Sequence, residues 1–141
     1  MTNTKTRDQT ALLLKASYKL IHFCSHEEQR ACKELQEIAA GADGGKAREC
    51  FFWKMTSGFL DADGKRANGA EKTDSPVKAL QWVIEREQKD CPPALYVMID
   101  FHPYLSRRGE AVVIRKLKDT VQLLEQRYSA VMLLSLSLIH I

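Results

Sequence analysis

The sequence predicts an α/β protein: three layers, with a mostly parallel sheet of about four strands and helices on both faces. Three observations carry this. Short β-rich apolar runs alternate with amphipathic stretches in the order β-α-β-α-β-α-β. The run Ala94-Leu95-Tyr96-Val97-Met98-Ile99 is apolar without alternation, as expected of a strand buried on both faces of a parallel sheet. Capping residues then mark helix starts between the runs, so crossovers rather than hairpins join the strands.

Each element follows in order. Residues 1–11 have no apolar period and are expected to form a disordered leader, with Leu12 to Ala16 closing a short leading helix. Tyr18 to Cys24 (YKLIHFC) is rich in β-formers and predicts the first strand. Ser25-His26-Glu27-Glu28 offers an N-cap serine with a capping-box glutamate three residues on. The helix that follows runs to about Ala40, with Ala31, Leu35, Ile38 and Ala39 on one face, and stops at Gly41. Cys50 to Thr56 (CFFWKMT) predicts a second strand. Gly58 to Asp74 is rich in Gly, Asp, Lys and Asn without apolar period and predicts a mobile loop. Asp74-Ser75-Pro76 opens a helix that buries Val77, Leu80, Trp82, Val83 and Ile84. The strand at Leu95 to Ile99 comes next, then an exposed basic loop from Ser106 to Gly109. A long helix from about Glu110 to Tyr128 is expected to bury Val113, Leu117, Val121, Leu124 and Tyr128. Ala130 to Leu134 closes the sheet.

Composition narrows the function classes. A chain of 141 residues is about one domain, and 45% hydrophobic with 28% charged residues is ordinary for a soluble protein. The net charge of +3, from 21 Lys and Arg against 18 Asp and Glu, gives no argument for nucleic acid. No apolar run reaches the roughly 18–20 residues that span a bilayer, and the start lacks the apolar core of a secretion signal. Neither a nucleic acid nor a membrane is therefore expected as partner, and a cytoplasmic location is the default. Cys24, Cys32, Cys50 and Cys91 form no C-x-x-C pair, which predicts reduced, mostly buried thiols and no metal.

A nucleotide site needs G-x-x-x-x-G-K-[ST] between a strand and a helix, so that backbone N–H groups face the phosphates. Gly41-Ala42-Asp43-Gly44-Gly45-Lys46-Ala47 is one residue short and ends in alanine. Gly58 to Gly64-Lys65-Arg66 is one residue too long and lacks the hydroxyl. After the first strand stands Ser25-His26-Glu27-Glu28, whose carboxylates would repel phosphate. Asp61-Ala62-Asp63-Gly64-Lys65 fails the EF-hand pattern, with Lys65, Arg66 and Lys72 at its fifth, sixth and twelfth positions. No catalytic residue is therefore assigned. The candidate functional rim is Asp100, Phe101 and His102 at the carboxyl end of the central strand, where open α/β sheets place ligands. Asp100 and His102 stand at i, i+2, a spacing able to turn both side chains the same way. Arg107, Arg108 and Arg115, with Lys116 and Lys118, follow as a basic cluster against only Glu110 and Asp119. Arginine suits a phosphate or carboxylate gripped by two hydrogen bonds.

Several segments together resemble the amino-terminal domain of a family of AAA-type ATPases with plastid-encoded, cyanobacterial and other bacterial members. They are Leu14 to Ile21 leading to Ser25-His26-Glu27-Glu28, Phe52-Trp53-Lys54-Met55-Thr56-Ser57-Gly58-Phe59, Ser75 to Leu80, Asp100-Phe101-His102-Pro103, and Ile114 to Asp119. The resemblance covers about residues 12–135, leaving 136–141 as a non-native or truncated tail. It implies a degenerate P-loop ATPase-like sheet without cofactor, serving as a regulatory or adaptor domain. ATP and Mg²⁺ are then expected in a downstream module. The implied partner is that AAA module, of the same or a neighbouring subunit, in an oligomeric full-length protein, in the plastid stroma where plastid-encoded. The alternative is an independent small α/β enzyme or receiver-like module using Asp100 and His102.

Overall fold

The computed structural model of the protein describes residues 2–70, 73–105 and 111–136, with side chains from Arg7 onward. The elements are α1 (Thr2–Lys15), β1 (Leu20–Ser25), α2 (Glu28–Ala39), β2 (Glu49–Lys54), β3 (Gly58–Leu60), α3 (Pro76–Glu87), β4 (Ala94–Ile99), a 3-10 turn (His102–Leu105), α4 (Ala111–Leu124) and β5 (Ala130–Leu136). The sheet order is β1-β5-β4-β2-β3. β1, β5, β4 and β2 run parallel, and β3 pairs antiparallel with β2. The expected three-layer, mostly parallel α/β architecture is therefore the one observed, with five strands.

Two cores result from the alternation of strand side chains. On one face Ile21, Phe23, Phe52, Val97, Met132 and Leu134 pack under α1 and α2. On the other Phe51, Trp53, Tyr96, Met98 and Leu133 pack under α3 and α4. Every residue of β4 is buried, as its unbroken apolar run requires. The buried face of α2 is Ala31, Leu35, Ile38 and Ala39, the set its period predicts.

Several expectations need correction. The leader is not disordered: α1 begins at Thr2, with Thr10, Ala11 and Leu14 buried. The Arg7 guanidinium anchors the helix, donating to both Asp43 oxygens at 3.0 and 2.8 Å and to Glu37 at 2.6 Å. These partners lie 30 or more residues away, so no local pattern announces them. The capping box before α2 is not formed. Ser25 Oγ accepts from the Glu27 N–H instead, and Glu27 occupies the N-cap without a side-chain cap. Ser75 does cap α3, accepting from the Lys78 N–H at 3.2 Å. The segment after Gly58 is pinned rather than loose. Thr73 Oγ1 accepts from Phe59 N–H and donates to the Ala70 carbonyl, both at 2.9 Å, and Trp53 Nε1–H donates to the Thr73 carbonyl. α4 ends at Leu124, so Tyr128 is exposed, with the Lys46 ammonium 4.4 Å from its ring centre. β5 continues through Leu136, which pairs with Ser25, so this residue belongs to the sheet and not to a tail. Residues 137–141 lie outside the described residues. Only Cys50 of the four free thiols is buried; Cys24 is exposed.

Candidate functional site

The carboxyl ends of the parallel strands define one rim: Ser25 on β1, Leu136 on β5, Ile99 on β4 and Lys54 on β2. The turn leaving β4 is shaped by Asp100, which takes φ 57°, the left-handed region that Asp tolerates better than most residues. Its N–H donates to the Leu134 carbonyl at 2.9 Å, tying the turn to β5. The strand therefore ends at Ile99, and strand alternation cannot be extended from Asp100 to His102. Asp100 and His102 are both exposed, and His102 Nδ1 lies 3.3 Å from Ser135 Oγ.

Phe101 is not a rim residue. It is fully buried, its ring centre 5.8 Å from both Trp53 and Tyr104, and it seats the 3-10 turn on the core. Tyr104 Oη donates to Met55 Sδ at 2.7 Å, joining this turn to the residue after β2. Arg115 is on the exposed side of α4, where its guanidinium donates from Nε and Nη2 to Asp119 Oδ1 at 3.1 and 2.8 Å. An exposed pair four residues apart stabilises a helix by only about 0.3–0.5 kcal/mol, which leaves the guanidinium available to a stronger anion. Arg107 and Arg108 lie outside the described residues. The structure thus brings Asp100 and His102 to one rim, withdraws Phe101 into the core and pairs Arg115 along its own helix.

Three residues not selected from sequence join His102. His22 Nε2 is 2.8 Å from Ser135 Oγ and 3.6 Å from Cys24 Sγ, giving a polar chain Cys24–His22–Ser135–His102. His22 and Cys24 alternate with buried Ile21 and Phe23, so sequence places them on one face. What brings Ser135 beside them is the β1–β5 pairing, Cys24 opposite Ser135. Among the described residues no group of three or more His, Cys, Asp or Glu side chains could hold a metal ion.

The start of α2 is acidic. Glu28 Oε2 takes the Lys54 ammonium at 3.2 Å, so the one lysine ending β2 is paired with a carboxylate. Behind it, burial pushes the Cys32 thiol up to about 11, helped by Glu28, and keeps it protonated near neutral pH. A cleft of 670 Å³ opens at the amino end of β2. Its charged lining is Glu49, Asp61, Asp63, Glu85 and Asp90 against Arg86 and Lys89, a poor match to phosphate. Arg86 is itself engaged, donating to Tyr96 Oη at 2.8 Å and Glu49 at 2.6 Å.

The family described as "SpoVK-like AAA ATPase, N-terminal domain" matches residues 6–139. The chain belongs to that family. This AAA ATPase N-terminal domain matches no curated protein and no solved structure. The matched span takes in residues 6–11 of α1 and residues 136–139, segments that the sequence places outside the expected domain. No helix among the described residues is long and apolar enough to cross a membrane.

Proposed function

We propose that this domain regulates or adapts an AAA ATPase whose nucleotide is bound and hydrolysed in a downstream module, and that its Asp100–His102 rim contacts that module. The observation that carries the reading is the turn from β1 into α2. Where a phosphate-binding sheet would offer glycines and a lysine, this chain has Ser25-His26-Glu27-Glu28, with Glu28 holding Lys54. Carboxylates beside a helix amino terminus occupy the place an anion would take. Membership of an AAA ATPase family without a phosphate grip of its own is the combination expected of a non-catalytic leading domain.

The alternative, a small enzyme using Asp100 and His102, is disfavoured because His102 turns to Ser135 and not to Asp100. Two assays test the proposal. The isolated chain with Mg-ATP is expected to show no turnover; turnover that survives repurification and disappears in Asp100→Ala refutes it. In the full-length ATPase, Asp100→Asn with His102→Ala is expected to change the ATPase rate or the assembly equilibrium about fivefold or more, a typical inter-site coupling. Domain stability should not change, because both side chains are exposed. A rate and oligomer size equal to wild type at physiological salt count against the rim as the contact face.

A further inference from the structure

Among the described residues, β1 is an edge strand without the usual edge protection. Its sequence, LIHFCS, contains no charge and no proline, and only β5 pairs with it among the described strands. The Val131 N–H donates to the Lys19 carbonyl at 2.8 Å, which fixes the phase of the ladder. Lys19, Ile21 and Phe23 turn their backbone groups toward β5, so Leu20, His22 and Cys24 turn theirs outward. The same three residues have exposed side chains, on the α3/α4 side of the sheet. α1 and α2 cover the opposite face of β1 through Ile21 and Phe23. One strand therefore leaves both a hydrogen-bonding edge and one face open, and does so at the same residues.

The crossovers say what fits there. The steps from β2 to β4 and from β4 to β5 move toward β1 with α3 and α4 on one face. The return step from β1 to β2 moves the other way with α2 on the opposite face. Opposite directions on opposite faces preserve one handedness, as right-handed crossovers require. A further step from β5 in the same direction would pass a helix over the α3/α4 side of β1 and lay a parallel strand on its outer edge. Those are the two surfaces left open.

We propose that a helix followed by a parallel strand, from the polypeptide that follows this domain in the ATPase, completes the sheet at β1. The helix would cover Leu20, His22 and Cys24, and the strand would take their outward N–H and C=O groups. An extended strand satisfies the alternating donors and acceptors along such an edge. The inference rests on the reading that the ATPase module lies in the same polypeptide. It makes the junction between domain and module a continuous sheet instead of a flexible tether.

The test compares the isolated chain with the full-length ATPase, using amide hydrogen exchange and iodoacetamide alkylation of Cys24 resolved by peptide mapping. In the isolated chain, Leu20, His22 and Cys24 amides should exchange fast, Ile21 and Phe23 slowly, and Cys24 should be alkylated freely. In the full-length protein the three amides and the Cys24 thiol should be protected about a hundredfold or more, at any protein concentration. Equal rates in the two proteins overturn the proposal. Protection that grows with concentration, or a protected dimer of the isolated chain, also overturns it, because a second copy then covers the edge. Failure here is separable from failure of the regulatory reading: the rim variants Asp100→Asn and His102→Ala report on the latter through ATPase rate, whatever happens at Cys24.

Discussion

Thr73→Val tests whether the segment after β3 is a working part of the core. The substitution keeps the branched shape and removes only the hydroxyl, at a side chain 3% exposed. Two buried backbone groups then lose a partner: the Phe59 N–H, which donates to Thr73 Oγ1 at 2.9 Å, and the Ala70 carbonyl, which accepts from it at 2.9 Å. An unsatisfied buried backbone group costs about 1–3 kcal/mol. The carbonyl retains the longer bond from Thr73 N–H at 3.4 Å, so its loss falls at the low end. The expected total is about 2–4 kcal/mol, a large share of the roughly 5–15 kcal/mol that holds a domain together. Urea unfolding followed by tryptophan fluorescence reads this directly, because Trp53 donates to the Thr73 carbonyl and Trp82 to the Asn68 carbonyl. Thr73→Ser, which keeps the hydroxyl and deletes one methyl, should cost only about 1 kcal/mol. If Thr73→Val lies within about 0.5 kcal/mol of wild type while Thr73→Ser is the worse variant, the hydroxyl bridge is not what pins the segment.

Gly58→Ala should destabilise by at least about 2 kcal/mol, since φ is +70° and a Cβ would sit 2.5 Å from Thr73 Oγ1. Combined with Thr73→Val it should be clearly non-additive, and an additive double variant in denaturant titrations would show the contact to be misjudged. Arg7→Ala should cost about 1–2 kcal/mol, because its two ion pairs are only about one-fifth exposed on the Arg7 and Asp43 side chains. The Arg7 guanidinium holds the Asp43 carboxyl below its ordinary range. A depressed carboxyl contributes above its unfolded value near about 3.9 and loses that contribution as pH falls through the lower folded value. Urea midpoints should therefore differ most near neutral pH and converge below about pH 4; a constant difference would remove the Asp43 pair from the explanation. Phe101→Ala should cost about 3–5 kcal/mol by cavity formation, seen in thermal melts, which would mark it as core and not as a contact residue.

What was legible in the sequence follows the range of the interactions that decide each element. The buried face of α2 and the unbroken β4 run are local patterns, and both stand in the structure as the spacing predicts. The closing turn of α1 was legible from Leu12 on, but its first part was not, because its anchor is a guanidinium reaching Glu37 and Asp43 across the fold, with no apolar period in residues 2–9 to announce it. β3 has three residues, too few for a period, and owes its place to Thr73 fifteen residues after Gly58. At the rim, Asp100 was found because an acid ending an apolar run is visible in one dimension. Its relation to His102 was not, because a single positive φ takes the chain out of strand geometry. The Cys24–His22–Ser135–His102 chain was invisible for a different reason. It depends on β5 inserting between β1 and β4, and strand order is a global outcome that no segment encodes alone.

That strand order also bears on what the rim can do. In an open parallel sheet the ligand crevice opens where neighbouring strands send their connections to opposite faces. Here β1 leads to α2 on one face and β4 leads to α4 on the other, with β5 between them. The side chains beside this position are His22, Ser135 and His102, linked to one another, with exposed Cys24 at the end of the row. Hydrogen-bonding side chains fill the place where a nucleotide-binding sheet concentrates backbone N–H groups and a lysine. Lys54, at the carboxyl end of β2, is already paired with Glu28. Among the described residues this row offers hydrogen-bond donors and acceptors but no lysine or arginine. The rim and the open β1 edge adjoin each other through His22 and Cys24, which belong to both. A module docked along β1 would therefore lie beside His102, which His22 reaches through Ser135, and alkylation at Cys24 together with the ATPase rate after Asp100→Asn with His102→Ala tests the edge and the rim separately.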